Sequence, residues 1–160
     1  MRKQSRRFIL FVVVSSLLVA ACSQTNKSDE ASPGDTVQAA AQAFVDGYDN
    51  GSLDQFDTFF APVSQANQAG LANTQDAAHK RVDEAEPGAN MEINDLTITN
   101  ENIDEQRQEA VVTYDAKVTF LIGTDVVSSF LVTQNVALKR IDGRWLISGG
   151  DEPQIESGQN

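Results

Sequence analysis

Acid–base chemistry in this chain would depend on one histidine, His79, and on 23 aspartates and glutamates among 160 residues. A general base needs a partly desolvated setting to reach a useful pKa. His79 instead lies in the polar segment Ala78-His79-Lys80-Arg81. The acidic pairs, such as Asp83-Glu84 and Asp104-Glu105, lack the ligand spacing of a calcium loop or a zinc site. The sequence therefore predicts no catalytic residue, no metal site and no cofactor.

Cys22, the single cysteine, stands at the end of an export signal. Basic residues at the N-terminus precede the uncharged apolar run Phe8–Ala21, which has the length of a signal-peptide core and is short for a bilayer span. The run ends in Val19-Ala20-Ala21-Cys22, which resembles the lipobox of bacterial lipoproteins, whose cysteine thiol is acylated before cleavage. A free thiol after an ordinary secretory peptide is the alternative. We expect cleavage of residues 1–21 and lipidation of Cys22, which would hold the chain on a cell membrane outside the cytoplasm.

The charge balance excludes two classes of partner. Residues 1–21 carry four of the twelve basic residues and none of the 23 acidic ones, which leaves the mature chain with a net charge of −15. Such a chain is repelled by phosphate backbones and by anionic headgroups. We therefore expect no nucleic-acid binding and no electrostatic attachment to membranes. Residues 22–34 lack large apolar side chains, so they are predicted to be a flexible tether.

Helical periodicity occupies the first half of the mature chain. Three helical segments are predicted, over residues 35–50, 52–61 and 63–85. The first two begin with capping-box spacings, Asp35 with Gln38 and Ser52 with Gln55. The third is rich in Ala, Gln and Asn, so we expect a poorly amphipathic surface helix.

Alternating periodicity begins after Pro87-Gly88 and predicts four strands. Apolar residues share one face of the second and third strands: Val112, Tyr114, Ala116, Val118, Phe120, Ile122, then Val126, Phe130, Val132, Val136 and Leu138. Asp142-Gly143 is a two-residue hairpin signal before a last strand in which Trp145 and Ile147 share one side. The polar tail over residues 149–160 is expected to be disordered, and residues 151–160 are placed outside the predicted domain. The order predicts an α+β domain over residues 35–150, with N-terminal helices on one face of a curved antiparallel sheet of about four strands.

Polar side chains on the inward face of the predicted sheet are the candidates for a binding site. Tyr114, Ser128 and Gln134 supply the polar groups, and Phe120 and Trp145 would line the same space. One interpretation is a small ligand pocket. The other is that these groups satisfy one another within a packed core, as buried polar groups usually do.

Two stretches carry a resemblance to a known family. They are AAAQAFVDGYDNGSLDQFDTFF at residues 39–60 and AVVTYDAKVTFLIGTDVVSSFLVTQNVALKRIDGRWLIS at residues 110–148. In the second, the matching positions are Tyr114, Thr119, Gly123, Leu138 and Asp142-Gly143-Arg144-Trp145. The pattern resembles the nuclear transport factor 2-like (NTF2-like) fold, a cone of helices against a curved sheet. It is most similar to the non-catalytic N-terminal domain of penicillin-binding proteins of the methicillin-resistance type.

The resemblance covers residues 36–150 and implies a function without chemistry of its own. It departs at Gly149, near which that family commonly has a second tryptophan. We also expect that no transpeptidase domain follows. The expectation is a docking or spacer module in the cell envelope, linked to cell-wall synthesis or to the antibiotic response. A protein partner in the envelope and a homodimer paired through the sheets are implied by the same resemblance. The alternative is a small-molecule-binding protein or an enzyme that uses the cone cavity.

Overall fold

The computed structural model describes residues 30–157. The predicted signal peptide over residues 1–21, the lipidation of Cys22 and most of the predicted tether lie outside the described residues. The last three residues of the predicted tail lie outside them as well.

Helices come first and strands follow. The helices are α1 (Pro33–Asn50), α2 (Asp54–Asp57), α3 (Gln68–Ala72) and α4 (Gln75–Asp83), with a 3₁₀ turn at Val63–Gln65. The strands are β1 (Ala89–Asp104), β2 (Glu109–Ile122), β3 (Asp125–Ile141), β4 (Arg144–Gly150) and β5 (Gln154–Ser157). They form one antiparallel sheet in the order β1-β2-β3-β4, with β5 also paired to β3. The predicted α+β class, with N-terminal helices against an antiparallel sheet, is confirmed. Within residues 30–157, no helix combines the length and apolarity that a membrane span requires.

α1 begins earlier than the sequence predicts. Its N-cap is Ser32, whose side chain accepts a hydrogen bond from the Asp35 backbone N–H, while the Asp35 carboxylate accepts one from the Ser32 N–H. The capping box is therefore Ser32 with Asp35, and the predicted pairing of Asp35 with Gln38 is wrong. The helix ends at Gly51 as predicted, in the left-handed conformation with φ of 71°. Pro33 and Gly34, which were predicted to belong to the tether, are therefore the first residues of α1.

The predicted third helix over residues 63–85 is divided into a 3₁₀ turn, α3 and α4. The division follows contacts with the sheet, because the Asn67 N–H donates to the Ser148 carbonyl at 2.8 Å. Gly70 packs against the backbone of Gly149 and Gly150, where a Cβ atom on Gly70 would lie 2.9 Å from the Gly150 nitrogen. A continuous helix could not make both contacts with β4.

The register of β2 against β3 places opposite pairs on the helix-covered face, including Val112 with Val136 and Tyr114 with Gln134. Val112 and Val136 are buried in the core, as predicted. The predicted faces fail at the hairpin end of these strands. A register shift after Phe120 pairs Leu121 with Val126, and Val126 is 57% exposed. An extra residue in one strand reverses which side chains share a face beyond it.

The end of the chain is more ordered than predicted. Gln154–Ser157, part of the predicted disordered tail, forms β5 and pairs with β3. The predicted hairpin turn is confirmed: Asp142 and Gly143 both have positive φ, 50° and 80°. Trp145 and Ile147 are both buried beyond it, as predicted.

β1 forms one edge of the sheet and is irregular. Its pairing with β2 shifts register twice, between Asn94 and Thr97 and again between Ile98 and Asn100. Asp95 lies in the first irregularity with φ of 54°. The regular ladder of this edge is therefore interrupted at two places.

Candidate functional site

A central cavity lies between the helices and the sheet. Its volume is about 140 Å³. Most of its lining is apolar, and the residues are Val37, Ala40, Ala41, Phe44, Phe56, Phe60, Ala78, Ile93, Val136 and Ile147, with Asn73, Thr74, Tyr114 and Gln134 as the polar members. Among the described residues, its lining contains no carboxylate and no histidine.

The polar groups of the central cavity are bonded to one another and to the chain. The Tyr114 hydroxyl donates to the Gln134 Oε1 atom at 2.9 Å. The Gln134 side-chain N–H group donates in turn to the Asp151 carbonyl at 2.8 Å, with a longer contact of 3.3 Å to the Asn73 carbonyl. Burial raises the pKa of Tyr114 to about 12, so the phenol is neutral at ordinary pH. This geometry corresponds to the packed-core interpretation for Tyr114 and Gln134.

The other predicted lining residues lie elsewhere. Phe120 and Ser128 line a separate depression near the end of the β2–β3 hairpin. Trp145 faces the first turn of α1, in a space that Asp35 and Thr36 also line. The structure therefore brings two of the five predicted residues together and distributes the other three over two surfaces.

An Asp–His pair, which the sequence analysis did not anticipate, joins α2 to α4. The His79 Nε2 atom lies 2.9 Å from Oδ1 and 3.1 Å from Oδ2 of Asp57. The Gln75 side-chain amide, one turn before His79 on α4, donates to Asp57 at 2.9 Å. The side chains of His79 and Asp57 are 45% and 35% exposed. Neither residue lines the central cavity, although Phe56 and Ala78, their neighbours in the sequence, do.

The sheet face opposite the helices carries polar cross-strand pairs. Thr113 donates to Asn135 at 2.7 Å, and Thr133 donates to Asp115 at 2.6 Å. Asn135 also donates to the Asp151 carboxylate at 3.0 Å. In the part of the chain that the structure describes, no three His, Cys, Asp or Glu side chains are grouped to hold a metal ion.

Comparisons with known proteins give several structural likenesses. A crystal structure of an NTF2-like protein of unknown function from Shewanella baltica OS155 is 14% identical to this chain, with a TM-score of 0.46. The match covers 77% of this chain and 93% of that one. No family model and no curated protein matches the sequence.

Proposed function

We propose that the chain is a lipoprotein of the bacterial cell envelope. In this proposal, lipid on Cys22 holds it to the membrane, and a non-catalytic NTF2-like domain docks onto another envelope protein. The observation that carries the proposal is an exposed apolar hairpin end, formed by Ile122, Val126 and Val127, at the opposite end of β3 from the point where the N-terminal segment joins the sheet.

The N-terminal segment is fixed to the sheet from the first described residue. Arg140, one residue before the end of β3, donates from Nε to the Glu30 carboxylate at 3.1 Å. Between Cys22 and Glu30 the chain can span at most about 28 Å, because an extended residue covers about 3.5 Å. A lipidated Cys22 would therefore keep the Arg140 end of the sheet close to the membrane.

The apolar hairpin end lies far from that attachment. β3 has 17 residues, which at about 3.3 Å each span up to about 55 Å. Ile122, Val126 and Val127 at its distal end are 44%, 57% and 60% exposed. Grouped exposed apolar side chains are typical of interaction surfaces. At this distance from the membrane, the group suits a protein partner better than it suits lipid.

The central cavity supports a non-catalytic role. Its volume of about 140 Å³ is below the roughly 300 Å³ at which ligand pockets usually begin. The Tyr114 hydroxyl and the Gln134 amide, which would orient a ligand, are engaged with each other and with the Asp151 carbonyl. The resemblance of the sequence to penicillin-binding protein domains suggests the class of partner, an enzyme of cell-wall synthesis, and hence a part in the antibiotic response.

Site-specific photo-crosslinking in intact cells tests the docking proposal. A photoreactive residue replaces Val127 in the full-length chain, and the captured proteins are identified by mass spectrometry. The matched control places the same residue at Val111, which is also apolar and is 43% exposed, but lies toward the other end of β2. Cys22→Ser supplies the unanchored chain.

We expect one envelope protein captured from position 127, absent from position 111 and lost in Cys22→Ser. Equal capture from both positions would contradict a docking role for the hairpin end. Incorporation of labelled palmitate into the wild-type chain and not into Cys22→Ser would test the anchor separately.

A second candidate function, small-molecule binding, is favoured by the central cavity itself. An apolar cavity of about 150 Å³ can admit a molecule as small as benzene. Benzene should then raise the melting temperature of the wild-type chain and have less effect on Ala41→Leu, in which the added side chain occupies part of the lining. Equal shifts in both proteins would count against this candidate.

A further inference from the structure

We infer that the sheet carries a binding site for a single-chain anionic amphiphile, such as a long-chain carboxylate, at a place separate from the central cavity. The site is an apolar hollow formed by Val118, Phe120, Phe130, Val132 and Ile155, with Arg81 at its rim. It does not depend on the proposed docking of the hairpin end or on lipidation of Cys22.

The floor of the apolar hollow comes from three strands whose side chains share one face. Val118 in β2 pairs with Phe130 in β3, and Val132 in β3 pairs with Ile155 in β5. Because directly opposed residues of an antiparallel pair lie on the same side of the sheet, these side chains form a continuous apolar surface. Phe120 and Phe130 meet edge to face at 6.1 Å between ring centroids.

The helix layer covers only part of this surface. Tyr48 of α1 packs on Phe120, with ring centroids 5.8 Å apart. Ile155, on the far side, is 55% exposed. β5 pairs with β3, and the exposure of Ile155 shows that the hollow is open at this end. The hollow therefore runs from the helix layer toward an open end at β5.

The hollow reaches the size of a small-molecule site only together with the depression beside it. The hollow measures about 220 Å³ and adjoins a wider depression of about 310 Å³, with which it shares Arg81, Phe120 and Phe130. Ligand sites usually enclose roughly 300 to 1,000 Å³ of mostly apolar lining with a few oriented polar groups. An alkyl chain along Phe130, Val132 and Ile155 would meet apolar side chains throughout.

The positive charge of Arg81 favours a ligand with a negatively charged headgroup. Arg81 lies over Phe120, with its guanidinium carbon 5.8 Å from the ring centroid, and makes no ion pair within residues 30–157. It is the single charged residue that lines the narrow part of the hollow among the described residues. Two carboxylates, Glu84 and Glu86, line the wider depression, and Glu84 lies 3.8 Å from the Lys80 ammonium. A carboxylate headgroup at Arg81 would thus complete a charge pair, with the chain in the apolar part.

Photolabelling of the purified full-length chain tests this site. The probe is dodecanoate with a terminal diazirine, and mass spectrometry locates the labelled residues. We expect labelling of the β3 and β5 segments that form the floor. Ile155→Asn should lower the labelling about tenfold, which corresponds to ~1.4 kcal/mol for the lost apolar contact. Arg81→Met should lower it about fivefold, as for one partly exposed ion pair.

Matched variants separate the site from general surface adsorption. Leu131→Asn changes an apolar residue of 50% exposure next to Val132 on the opposite face. Arg144→Met removes an exposed arginine that faces a different depression. Neither variant should alter the labelling, and unlabelled dodecanoate should compete whereas dodecyltrimethylammonium should not. Absence of labelling, equal losses in the control variants or equal competition by the cationic amphiphile would each overturn the inference.

Discussion

Tyr114 places its hydroxyl at the inner wall of the central cavity, where Gln134 accepts its hydrogen bond at 2.9 Å. Burial raises the pKa of the phenol to about 12, from an ordinary value of 10.0. Removing the proton in the folded state would leave a buried negative charge beside the Gln134 carbonyl oxygen. The group therefore favours folding below pH 10, and its contribution is lost as the pH rises from about 10 toward 12.

We expect Tyr114→Phe to lower the free energy of unfolding by about 1 to 2 kcal/mol at neutral pH, because the Gln134 Oε1 atom loses its donor. Between pH 10 and 12 the variant should lose less stability than the wild type, since it has no phenol to ionise. Urea unfolding at neutral pH and at several alkaline values measures both effects. Parallel decline of the two proteins above pH 10 would show that other groups control the alkaline transition.

The contact between Tyr114 and Gln134 could be predicted from the sequence more readily than the contact between His79 and Asp57. Alternation in β2 and β3 put Tyr114 and Gln134 on one face, and antiparallel pairing then made them opposite partners. The contact of His79 with Asp57 depends on how α2 packs beside α4, which no local spacing encodes. The i, i+4 spacing of Gln75 and His79 was the available signal, since it places both side chains on one face of a helix.

At the scale of elements, the Ser32 cap fixes where α1 begins. The Ser32 backbone N–H and then its hydroxyl, both hydrogen-bonded within the capping box, lower the pKa of Asp35 below its ordinary value of 3.8. A carboxyl group with a lowered pKa stabilises the fold above its ordinary pKa, and this contribution is lost as the pH falls through the folded-state value. The cap therefore weakens in acid.

We expect Ser32→Ala to lower the free energy of unfolding by about 1 kcal/mol at neutral pH, the usual effect of removing a side-chain N-cap. Ser52→Ala is the matched control. The Ser52 hydroxyl accepts a long hydrogen bond of 3.4 Å from the Asp54 N–H, outside a capping box, so its loss should change stability by less than about 0.5 kcal/mol. Equal losses in the two variants, measured by urea unfolding, would argue against the cap at Ser32.

The contact of α3 with β4 depends on the absence of a side chain at residue 70. A Cβ atom on Gly70 would lie 2.9 Å from the Gly150 nitrogen and 3.0 Å from the Gly149 Cα atom, both of which belong to the backbone. We therefore expect Gly70→Ala to cost about 2 kcal/mol through overpacking, despite the higher helix propensity of alanine. Gln68→Ala, an exposed change in the same helix, should be close to neutral. Thermal unfolding of both variants distinguishes the contact from propensity.

Several elements could be predicted because their signals are local. Gly51 at the end of α1 and Asp142-Gly143 between β3 and β4 adopt the positive φ values that such residues favour. β5 could not be predicted, since its polar sequence forms a strand only by pairing with Phe130–Thr133. The register shift after Phe120 was equally hidden, because an added residue in one strand leaves the apolar alternation of the sequence unchanged. Ser128 does not line the central cavity, although it lies on the predicted face of β3. Its position near the hairpin end places it in a different depression.

At the scale of the whole molecule, net charge opposes contact between copies. A mature chain from Cys22 onward has a net charge of −15, so two copies repel one another at low ionic strength. If the homodimer suggested by the resemblance forms, its dissociation constant should fall as salt rises, because screening shortens the range of this repulsion to about 10 Å near 0.1 M. Sedimentation velocity of the full chain over a series of salt concentrations measures this. Weaker association at higher salt would indicate an interface held by ion pairs instead.

In the proposed arrangement, the distance from a lipidated Cys22 to the hairpin end sets how far from the membrane the domain could hold a partner. Arg140 and the exposed Val126 and Val127 lie near opposite ends of β3, which has 17 residues. A spacer role therefore resides mainly in the sheet, and less in the segment between Cys22 and Glu30. A rigid spacer holds a partner at a defined distance from the membrane, whereas a flexible spacer would allow a range of distances.

The two register shifts in β1 have a consequence for proteins held side by side on a surface. An uninterrupted edge strand of 16 residues would present a long row of free N–H and C=O groups, which is a template for joining neighbouring chains into aggregates. Attachment to a membrane would increase this hazard, since it confines the molecules to two dimensions and raises their encounter rate. The irregularities at Asp95 and between Ile98 and Asn100 leave no long straight row for a neighbour to extend. Crowded copies of the domain would thus be less able to join through β1.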